Sequence, residues 1–395
     1  MKIAVIGAGA MGSMLGVYLK KGGADVVLSV RRKEVADVMI SPGLALKMYE
    51  GDGGEIGPLP MNAVTDLSGV GIVDAILLMV KGPNTKTAME GAMCLVDKNT
   101  KVITLQNGIG NTDIIKEFVS EDKIYYGCLN MSAAMDKNGV ITGGLFGDNN
   151  IFVGSLVKGK EQKKFGEEFC SIFNAAGVSA CYTDEIDKEV WYKLILNVAV
   201  NATCGLIRLR GGEASEDQQF MLLAVDMVKE AIAVANAMGV DIDFGYFMTQ
   251  IMPVAKNTSG KHYPSMAQDM MISKVKTEIE FINGAVERLG ANVGVPTPIN
   301  TTVSRLVRVI ENNYDRQYMP KATSGASSFR IEITDKFCKG CGFCVKYCPK
   351  NVIGFNEELN KKGYSTAKVV NKNACIGCLS CTAVCPEAAI NIVKE

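Results

Sequence analysis

Two copies of one cysteine pattern near the carboxy-terminal end limit the folds open to this chain. Eight of the thirteen cysteines lie between positions 338 and 385, in two runs that each read CxxCxxCxxxCP. Three thiolates at two-residue gaps wrap one face of a 4Fe–4S cube, and the fourth thiolate, before proline, reaches across to the other cube. The spacing therefore predicts two 4Fe–4S clusters, with the ligand sets Cys338, Cys341, Cys344 and Cys385 (first set) and Cys375, Cys378, Cys381 and Cys348 (second set).

A disulfide framework and structural zinc are the alternatives for these cysteines. Zinc sites seldom need three thiolates at strict two-residue gaps plus a fourth before proline, twice over. The spacing favours iron–sulfur clusters, and it is the ligand spacing of two-cluster bacterial ferredoxins.

Length and charge bound the rest of the chain. At 395 residues the chain is longer than a domain with one hydrophobic core usually is, so two or three domains are expected. The chain has 42 Lys and Arg residues and 42 Asp and Glu residues. This balance gives no overall electrostatic attraction to nucleic acid or to an anionic membrane. We read the apolar stretch at the start as a buried strand, turn and helix, and no other run approaches a membrane span. Clusters on reduced thiolates without a signal peptide indicate a soluble, cytoplasmic protein.

The amino-terminal segment has the pattern of a strand, a glycine-rich turn and a helix. A short apolar run over 2–6 opens into GAGAMG, after which apolar residues recur at helical spacing. The first glycine permits a tight turn, the second lets the backbone approach a pyrophosphate, and the third allows close packing of helix on strand. A second strand-like run over 24–30 strengthens the prediction of a dinucleotide site. Its predicted residues are Gly7, Ala8, Gly9, Ala10, Met11 and Gly12.

The end of the second strand usually distinguishes the two nicotinamide dinucleotides. An acidic residue there binds the ribose 2′-hydroxyl of NAD, whereas arginine accommodates the 2′-phosphate of NADP. This chain has Arg31-Arg32-Lys33, which favours NADP. A solvated basic turn is the alternative, and the following Glu34 weakens the case slightly.

Further strand-like runs alternate with helical segments. The runs cover 74–80, 101–105, 123–129 and 150–157, with a helical segment over 85–96. This alternation predicts a Rossmann-like, mostly parallel, doubly wound α/β sheet. Polar residues follow two of the strands, Lys81 after the first run and Gln106-Asn107-Gly108 after the second, where ligands bind such sheets. Turn chemistry is the alternative reading for both.

The periodicity becomes helical from Asp184 to about Tyr318, which predicts an all-helical second domain. The long candidates are Glu213–Met238 and Thr277–Leu289. In the apolar stretch 190–201, Lys193, Asn197 and Asn201 stand at i, i+4 and i+8 and so share one helix face. Because unpaired burial of these groups is costly, the face meets solvent or lines a polar cleft. Ser265, Asp269 and Glu278 are open to the same two readings.

At this point the sequence resembles the ketopantoate reductase (2-dehydropantoate 2-reductase) family over residues 1–318. The resemblance is carried by GAGAMG, Lys81, the Gln-Asn-Gly at 106–108, WxKLxxNxxxN at 191–201, SMxQD at 265–269 and TEIxxING at 277–284. It implies NADPH-dependent reduction of the 2-oxo acid ketopantoate in pantothenate and coenzyme A biosynthesis. Its small-molecule partner would be that 2-oxo acid.

The resemblance also implies roles for single residues. Lys193 matches the catalytic lysine that protonates the developing alkoxide, and Glu278 would orient it or bind the substrate hydroxyl. The remaining roles are substrate contacts from Asn197, Asn201 and Ser265, a place near the nicotinamide and substrate for Asn107, and contacts to the cofactor phosphates from Arg31 and Lys81.

The chain departs from the family pattern at two places. It has Asn201-Ala202-Thr203-Cys204 where the family often has Asn-Pro-Leu-Thr, and Gly211-Gly212 where the family has Asn-Gly. The segment from Asp269 to Glu278 is also one residue longer than usual. These differences put the substrate in doubt but leave the reaction class.

The expected domains are a dinucleotide domain over 1–183, a helical domain over 184–318, a linker over 319–328 and a small α+β ferredoxin domain over 329–395. The insert 351–374 between the cysteine runs makes the last domain resemble the small ferredoxin subunit of 2-oxoacid:ferredoxin oxidoreductases. Ten Lys or Arg against six Asp or Glu over 330–395 give +4, which two oxidised clusters of about −2 each would cancel. We therefore expect a specific redox protein partner rather than general electrostatic steering.

Two functions stay open from the sequence. In the first, the chain is a 2-oxo acid reductase with a fused ferredoxin that docks or senses redox state. In the second, it is an electron-transfer subunit of a larger oxidoreductase that contains thiamine diphosphate or flavin, and the reductase half is a scaffold or cofactor-binding module. Clusters pass single electrons and nicotinamide takes hydride, so direct exchange needs a converter such as flavin, for which the sequence offers no separate site. A homodimer is compatible with the sequence.

Overall fold

The computed structural model describes residues 1–48, 54–252, 263–317 and 329–394. The chain divides into two compact units. The first comprises Met1–Val198, Asp226–Val254 and Glu278–Thr301, and the second comprises Ala199–Val225, Ala255–Thr277 and Thr302–Glu395. The expected linker over 319–328 lies outside the described residues.

The strands of the described residues form four sheets. In chain order they are β1 Lys2–Ile6, β2 Asp25–Ser29, β3 Leu44–Met48, β4 Glu55–Leu59, β5 Asn62–Val64, β6 Ala75–Leu78, β7 Lys101–Thr104, β8 Ile124–Leu129, β9 Met131–Met135, β10 Val140–Leu145, β11 Ile151–Ser155, β12 Ala180–Tyr182, β13 Phe329–Ile333, β14 Ile353–Leu359, β15 Ser365–Val369 and β16 Ile390–Lys394. The sheet orders are β12-β11-β8-β7-β6-β1-β2-β5, β4-β3-β10-β9, β13-β16 and β14-β15.

The α-helices of the described residues flank these sheets or follow them in the chain. They are α1 Ala10–Lys21, α2 Lys33–Ile40, α3 Thr85–Ala92, α4 Asn111–Ile115, α5 Lys160–Ala175, α6 Ile186–Ile207, α7 Gly211–Ser215, α8 Gln218–Ala237, α9 Phe244–Tyr246, α10 Ser265–Gln268, α11 Asn283–Val293, α12 Pro298–Glu311, α13 Phe343–Lys346 and α14 Ser380–Ala383. Single π-helical turns follow α9 and α10, over Phe247–Ile251 and Asp269–Ser273.

The eight-stranded sheet confirms the predicted Rossmann-like architecture. All its strand pairs are parallel except β8 with β11, which is antiparallel. Alternate residues of β1 enter two separate cores: Ile3 and Val5 pack with α1 and α5, and Ala4 and Ile6 pack with α3. Burial on both faces explains why the strand reads as a continuous apolar run.

The four-stranded sheet was not anticipated from the sequence. Its β10 pairs parallel with β3 and antiparallel with β9, and β3 pairs antiparallel with β4. Leu44, Leu46 and Ile141 from this sheet belong to the same core as α1. The dinucleotide half therefore contains a second sheet beside the main one.

The described residues from 184 to 317 contain helices and turns but no strand, as predicted. Both long helix predictions are wrong in their bounds. The segment 213–238 is split because the Asp217 carboxylate accepts hydrogen bonds from the amides of Gln219 and Phe220, 2.8 and 3.0 Å away, and so starts a new helix, α8. The segment 277–289 becomes helical only at Asn283, after a 3₁₀ turn over Ile279–Phe281.

Helix α6 is long and apolar enough, by length and composition, to cross a bilayer. In the most apolar stretch of this helix, somewhat more than half of the residues are buried inside the protein, and the core helix of a globular domain has the same character. Lys193, Asn197 and Asn201 all lie within this one uninterrupted helix, so the predicted shared face exists.

A buried polar network joins four helices of the first unit. Asn283 of α11 donates to the carbonyl of Val198 at 3.3 Å and to Asn300 at 3.0 Å. Asn300 of α12 donates to the carbonyl of Met227 at 3.1 Å and to the Glu230 carboxylate at 2.8 Å. Because both asparagine side chains are fully buried, each bond replaces a lost contact with water.

The carboxy-terminal domain has an internal repeat in its backbone. The residue two positions after the first cysteine of each run is a glycine with φ of +65°, Gly340 and Gly377. Asn351 and Ala388, three positions after the last cysteine, have φ of +49° and +48°. The insert between the runs forms the β14–β15 hairpin, and β13 and β16 bring the ends of the domain together.

The buried network gives a test of the fold. Asn300→Ala should lower the free energy of unfolding by about 2–3 kcal/mol, because it leaves buried donors and acceptors on α8 and α11 without partners. Urea denaturation followed by circular dichroism measures the change. Asn313→Ala is the matched control, because the hydrogen bond from its side chain to the Val309 carbonyl is solvent-exposed, and it should shift stability by less than about 0.5 kcal/mol. Equal effects of the two variants would contradict a stabilising role for the network.

Candidate functional site

The glycine turn between β1 and α1 is shaped for a ligand with a pyrophosphate. Gly7 has φ of +93°, and a Cβ there would stand 2.7 Å from the backbone nitrogen of Val80. A Cβ on Gly12 would stand 2.5 Å from the carbonyl oxygen of Gly7. Nothing among the described residues lies within 4 Å of a Cβ on Gly9, whose φ is −72°, so the space beside this backbone is open to a ligand.

The first turn of α1 leaves its amides available. Gly9 is the N-cap, no described side chain caps it, and the turn carries no acidic residue. The turn is fixed to the neighbouring strand because the amide of Ala8 donates to the carbonyl of Ser29 at 3.0 Å. Unbonded amides at the positive end of a helix bind phosphate groups, so Gly7 to Gly12 fit the pyrophosphate of a dinucleotide.

The basic residues after β2 lie beside this turn in the sheet. Arg31, Arg32 and Lys33 are all exposed, and Arg32 is the N-cap of α2. Ser29, the last residue of β2, accepts hydrogen bonds from both Gly7 and Ala8. Arg31 therefore stands two residues from the point where the strand meets the dinucleotide turn.

The polar residues after β6 and β7 differ in what they do. Gln106 is buried and donates to the carbonyl of Val80 at 2.6 Å and to the Thr85 hydroxyl at 3.0 Å, so it fixes the two strand ends to each other. Lys81 is exposed and Asn107 is half-buried. Gln106 therefore has a structural role. Lys81 and Asn107 are the candidates for ligand contacts at this edge of the sheet.

Glu278 is held at the same edge of the sheet. Its Oε1 accepts a hydrogen bond from the amide of Gly82 at 3.2 Å. Three residues later Phe281 occupies the space that side chains on Gly82 and Gly108 would need, and its carbonyl accepts from the amide of Ile109 at 2.8 Å. The motif at 277–284 is thus fastened directly to the residues that follow β6 and β7.

Helix α6 contributes a desolvated cation and an unsatisfied amide. Burial lowers the pKa of the Lys193 ammonium group, and the neighbouring Cys128 thiol opposes this more weakly. One turn further on, the Nδ2 of Asn197 is buried without a hydrogen-bond acceptor in the described part of the chain. A proton donor of lowered pKa beside a free amide donor suits an oxygen that becomes negative during a reaction.

Two predicted substrate residues belong to the second unit. Asn201 is buried on α6, whereas Ser265 is exposed as the first residue of α10. The structure therefore groups Lys193, Asn197, Glu278, Asn107 and the dinucleotide turn in one unit, and Asn201 and Ser265 in the other.

Each predicted cysteine set surrounds its own cavity. Cys338, Cys341, Cys344 and Cys385 line one, and Cys348, Cys375, Cys378 and Cys381 line the other. Across the described residues, which include all thirteen cysteines, the thiols are free and no three His, Cys, Asp or Glu converge on a point suited to one metal ion. Four cysteines around one cavity are the number of ligands that a 4Fe–4S cluster takes.

The chain's backbone amides are directed at cysteine sulfurs. Ala367 donates to Cys338 at 3.3 Å, Ala389 to Cys385 at 3.2 Å and Val352 to Cys348 at 3.2 Å. Such N–H···S bonds tune the reduction potential of iron–sulfur clusters. Burial raises the pKa of Cys344 and Cys381 to about 12, a penalty on the thiolate that the positive charge of bound iron would offset.

Several residues around these sites were overlooked in the sequence. Gly82 and Phe281 connect the two halves of the site in the first unit, and the aromatic residue inside the motif at 277–284 was the available signal. Lys339, Glu387 and Lys350 line the cysteine cavities, and their place beside cysteines was the signal.

The two kinds of site define the class of protein. A dinucleotide-binding fold with a lysine of lowered pKa in the same unit is typical of reductases and dehydrogenases, and this chain adds a second domain with two four-cysteine cavities. The profiles described as "Ketopantoate reductase PanE/ApbA" and "Ketopantoate reductase PanE/ApbA C terminal" match residues 3–157 and 185–311. A "4Fe-4S dicluster domain" profile matches residues 337–389.

Individual relatives agree with the profiles. The chain is 31% identical over 309 residues to 2-dehydropantoate 2-reductase of Lactococcus lactis subsp. lactis, which covers 78% of this chain and 97% of the relative. The enzyme of the same name from Pyrococcus horikoshii is 31% identical over 314 residues, 79% and 98% of the two chains. The solved ternary structure of D-mandelate dehydrogenase with NADH and anilino(oxo)acetate matches with a TM-score of 0.71 at 29% identity, over 80% and 100%. The chain belongs to the ketopantoate reductase family.

Proposed function

We propose that this protein reduces a 2-oxo acid to the 2-hydroxy acid with NADPH, and that ketopantoate is its first candidate substrate. The observation that carries the proposal is that Lys193, half-buried and with its pKa lowered by burial, stands one helical turn from the unsatisfied amide of Asn197. These groups share a compact unit with the open dinucleotide turn. The D-mandelate dehydrogenase structure, which holds a 2-oxo amide-acid beside NADH, supports a 2-oxo acid as the substrate class.

The proposed mechanism follows the charge that develops on the substrate. Bound NADPH supplies hydride to the C2 carbonyl carbon. Lys193 donates a proton to the carbonyl oxygen as it becomes an alkoxide, and its lowered pKa makes that transfer easier. The Asn197 amide donates to the same oxygen or to the carboxylate, with Asn201 and Ser265 as further substrate contacts. Glu278, whose carboxylate accepts from the Gly82 amide, would orient Lys193 or accept from the substrate hydroxyl.

The proposed cofactor contacts use the edge of the sheet. Within the turn from Gly7 to Gly12, the amides of Ala10, Met11 and Gly12 would bind the pyrophosphate. Asn107 would lie by the nicotinamide, and Lys81 would add positive charge near the phosphates. Arg31 binds the 2′-phosphate, which is the basis for preferring NADPH even though a solved relative contains NADH.

The carboxy-terminal domain is proposed to hold two 4Fe–4S clusters in the two cysteine cavities. Those clusters would supply one-electron transfer. Fe–S chemistry on reduced thiolates supports a cytoplasmic location for the protein. A redox protein that docks on this domain would be its partner.

An electron-transfer subunit of a larger complex is the second candidate function. The half-exposed state of Cys348, Cys375 and Cys378 favours it, because exposed ligands allow exchange with another protein. Stoichiometric co-purification with a thiamine-diphosphate or flavin subunit would support this function. A desolvated Lys193 has no part in it, which is why the reductase is preferred.

Replacing the proton donor tests the reductase. Lys193→Ala should lower kcat about 10²- to 10⁴-fold and leave NADPH binding nearly unchanged, because the ammonium acts mainly in the transition state. In the unmutated protein kcat should also fall as pH rises through the Lys193 pKa, at a lower pH than an ordinary lysine gives. NADPH oxidation over a panel of ketopantoate and other branched 2-oxo acids measures both. Lys188→Ala on the same helix is the control, and intact turnover in Lys193→Ala would exclude the mechanism.

Cofactor preference has its own test. Arg31→Ala should remove most of the preference for NADPH over NADH, because the guanidinium no longer meets the 2′-phosphate. Fluorescence titration of both cofactors gives the two dissociation constants. Lys21→Ala, at the far end of α1, should change neither. Equal affinity of the unmutated protein for both cofactors would defeat the proposal.

The ligand sets predict an effect across the sequence. Anaerobically purified protein should hold about eight irons, and Cys385→Ala should disturb the cluster shared with Cys338, Cys341 and Cys344, despite its distance in sequence. Iron analysis and electron paramagnetic resonance measure this. Cys94→Ala, an exposed cysteine outside both sets, is the control. Zinc in place of iron, or a single cluster in the unmutated protein, would show that the assignment is wrong.

A further inference from the structure

The two cysteine sets differ in how far they are exposed, although they share a repeated backbone. In the first set Cys338, Cys344 and Cys385 are buried and only Cys341 is half-buried. The second set is the reverse: only Cys381 is buried, and the other three are half-buried. The cavity of the second set is therefore the more accessible to another molecule.

The repeat also differs in charge at matching positions. The positions after the first cysteine are Lys339 and Ile376, and those two after the last cysteine are Lys350 and Glu387. In the first cavity Lys339 and Glu387 form an ion pair at 2.9 Å, which leaves the lining neutral. The second cavity is lined by one charged residue, Lys350, which is exposed.

The basic character extends beyond the cavity lining. The segments 340–356 and 364–386 carry seven of the eight cysteines in the two sets. They contain no Asp or Glu and four lysines, Lys346, Lys350, Lys368 and Lys372. Two oxidised clusters of about −2 each would balance these four lysine charges in sum. The clusters would sit inside the cavities, whereas Lys346, Lys350 and Lys372 are exposed, so positive charge would remain at the surface.

An exposed leucine directly follows Cys378, which lines the second cavity. Leu379 has φ of +59°, where the first run has Gly342 with φ of +78°, and its side chain is 52% exposed. A left-handed backbone is disfavoured for any residue with a Cβ, and exposure of leucine adds a hydrophobic penalty. Val370, 53% exposed, is bonded through its amide to Val352, which lines the same cavity as Lys350. Docking of a partner would bury both apolar side chains.

We propose that electrons enter this protein at the second cysteine set, which we call the electron port. An acidic one-electron carrier protein would dock on the surface formed by Lys350, Val370 and Leu379, the port face. The inference rests on the proposed iron–sulfur function of the domain. One electron passes from the reduced carrier to the oxidised second cluster, so the carrier is oxidised and the cluster reduced by one, and no bond or proton is exchanged. The lysines provide charge complementarity and the two apolar residues provide the buried centre.

Binding of a plant-type 2Fe–2S ferredoxin, an acidic one-electron carrier, tests the port. Isothermal titration of the oxidised, cluster-replete full chain at low salt should give a Kd that weakens as salt is added. Lys350→Glu should weaken binding about tenfold or more, because it places like charges opposite each other. Leu379→Gly should weaken it several-fold while it relieves the left-handed strain. Iron content and electron paramagnetic resonance verify that each variant retains its clusters.

The hairpin turn offers a matched control of equal charge change. Lys361 lies in the exposed turn of β14–β15. The neighbouring Asn360 donates to the carbonyls of Asp335 and Cys338, so this turn is next to the first run and not the second. Lys361→Glu should therefore leave Kd within about twofold. An effect of Lys361→Glu as large as that of Lys350→Glu would overturn the proposal. So would absence of binding by the unmutated chain, or tighter binding of a basic c-type cytochrome. Loss of 2-oxo acid reduction alone would contradict the reductase and not the port, since binding needs no turnover.

Discussion

The hydrogen bond from the Gly82 amide to the Glu278 carboxylate joins the two parts of the candidate reductase site. Around it, Phe281 fills the space above Gly82 and Gly108, and its carbonyl accepts from Ile109. The helical segment is thereby fixed to the strand ends where the dinucleotide turn also opens. A carboxylate that binds a backbone amide keeps one position, and chemistry at this edge depends on that fixed position.

The local features of the dinucleotide half could be read from the sequence because they depend on neighbours in the chain. The strand at 2–6, the glycine turn and α1 are set by apolar periodicity and by backbone sterics at Gly7 and Gly12. The four-stranded sheet was not predicted because its pairings join residues near 45 with residues near 141. Short strands that contain glycine also give little local signal. Long-range pairing is decided by packing rather than by pattern.

The site shows the same division. The shared face of Lys193 and Asn197 follows from helix geometry, so the sequence was sufficient for it. Their desolvation and the free amide of Asn197 depend on side chains brought from elsewhere, which no periodicity reveals. The helix break at Asp217 had a local signal, a carboxylate at a position where it can cap the next helix, that apolar periodicity alone overrode. The roles of the individual site residues stay predictions.

Each cysteine cavity takes its fourth sulfur from the opposite run. The two runs are thus interleaved, and neither run can surround its cavity with four cysteines without the other run. Filling of one cavity pre-assembles the ligands of the second, so metal occupancy should be cooperative and half-filled chains scarce. In a cell short of iron, each molecule would then carry either a finished carboxy-terminal domain or an unfilled one.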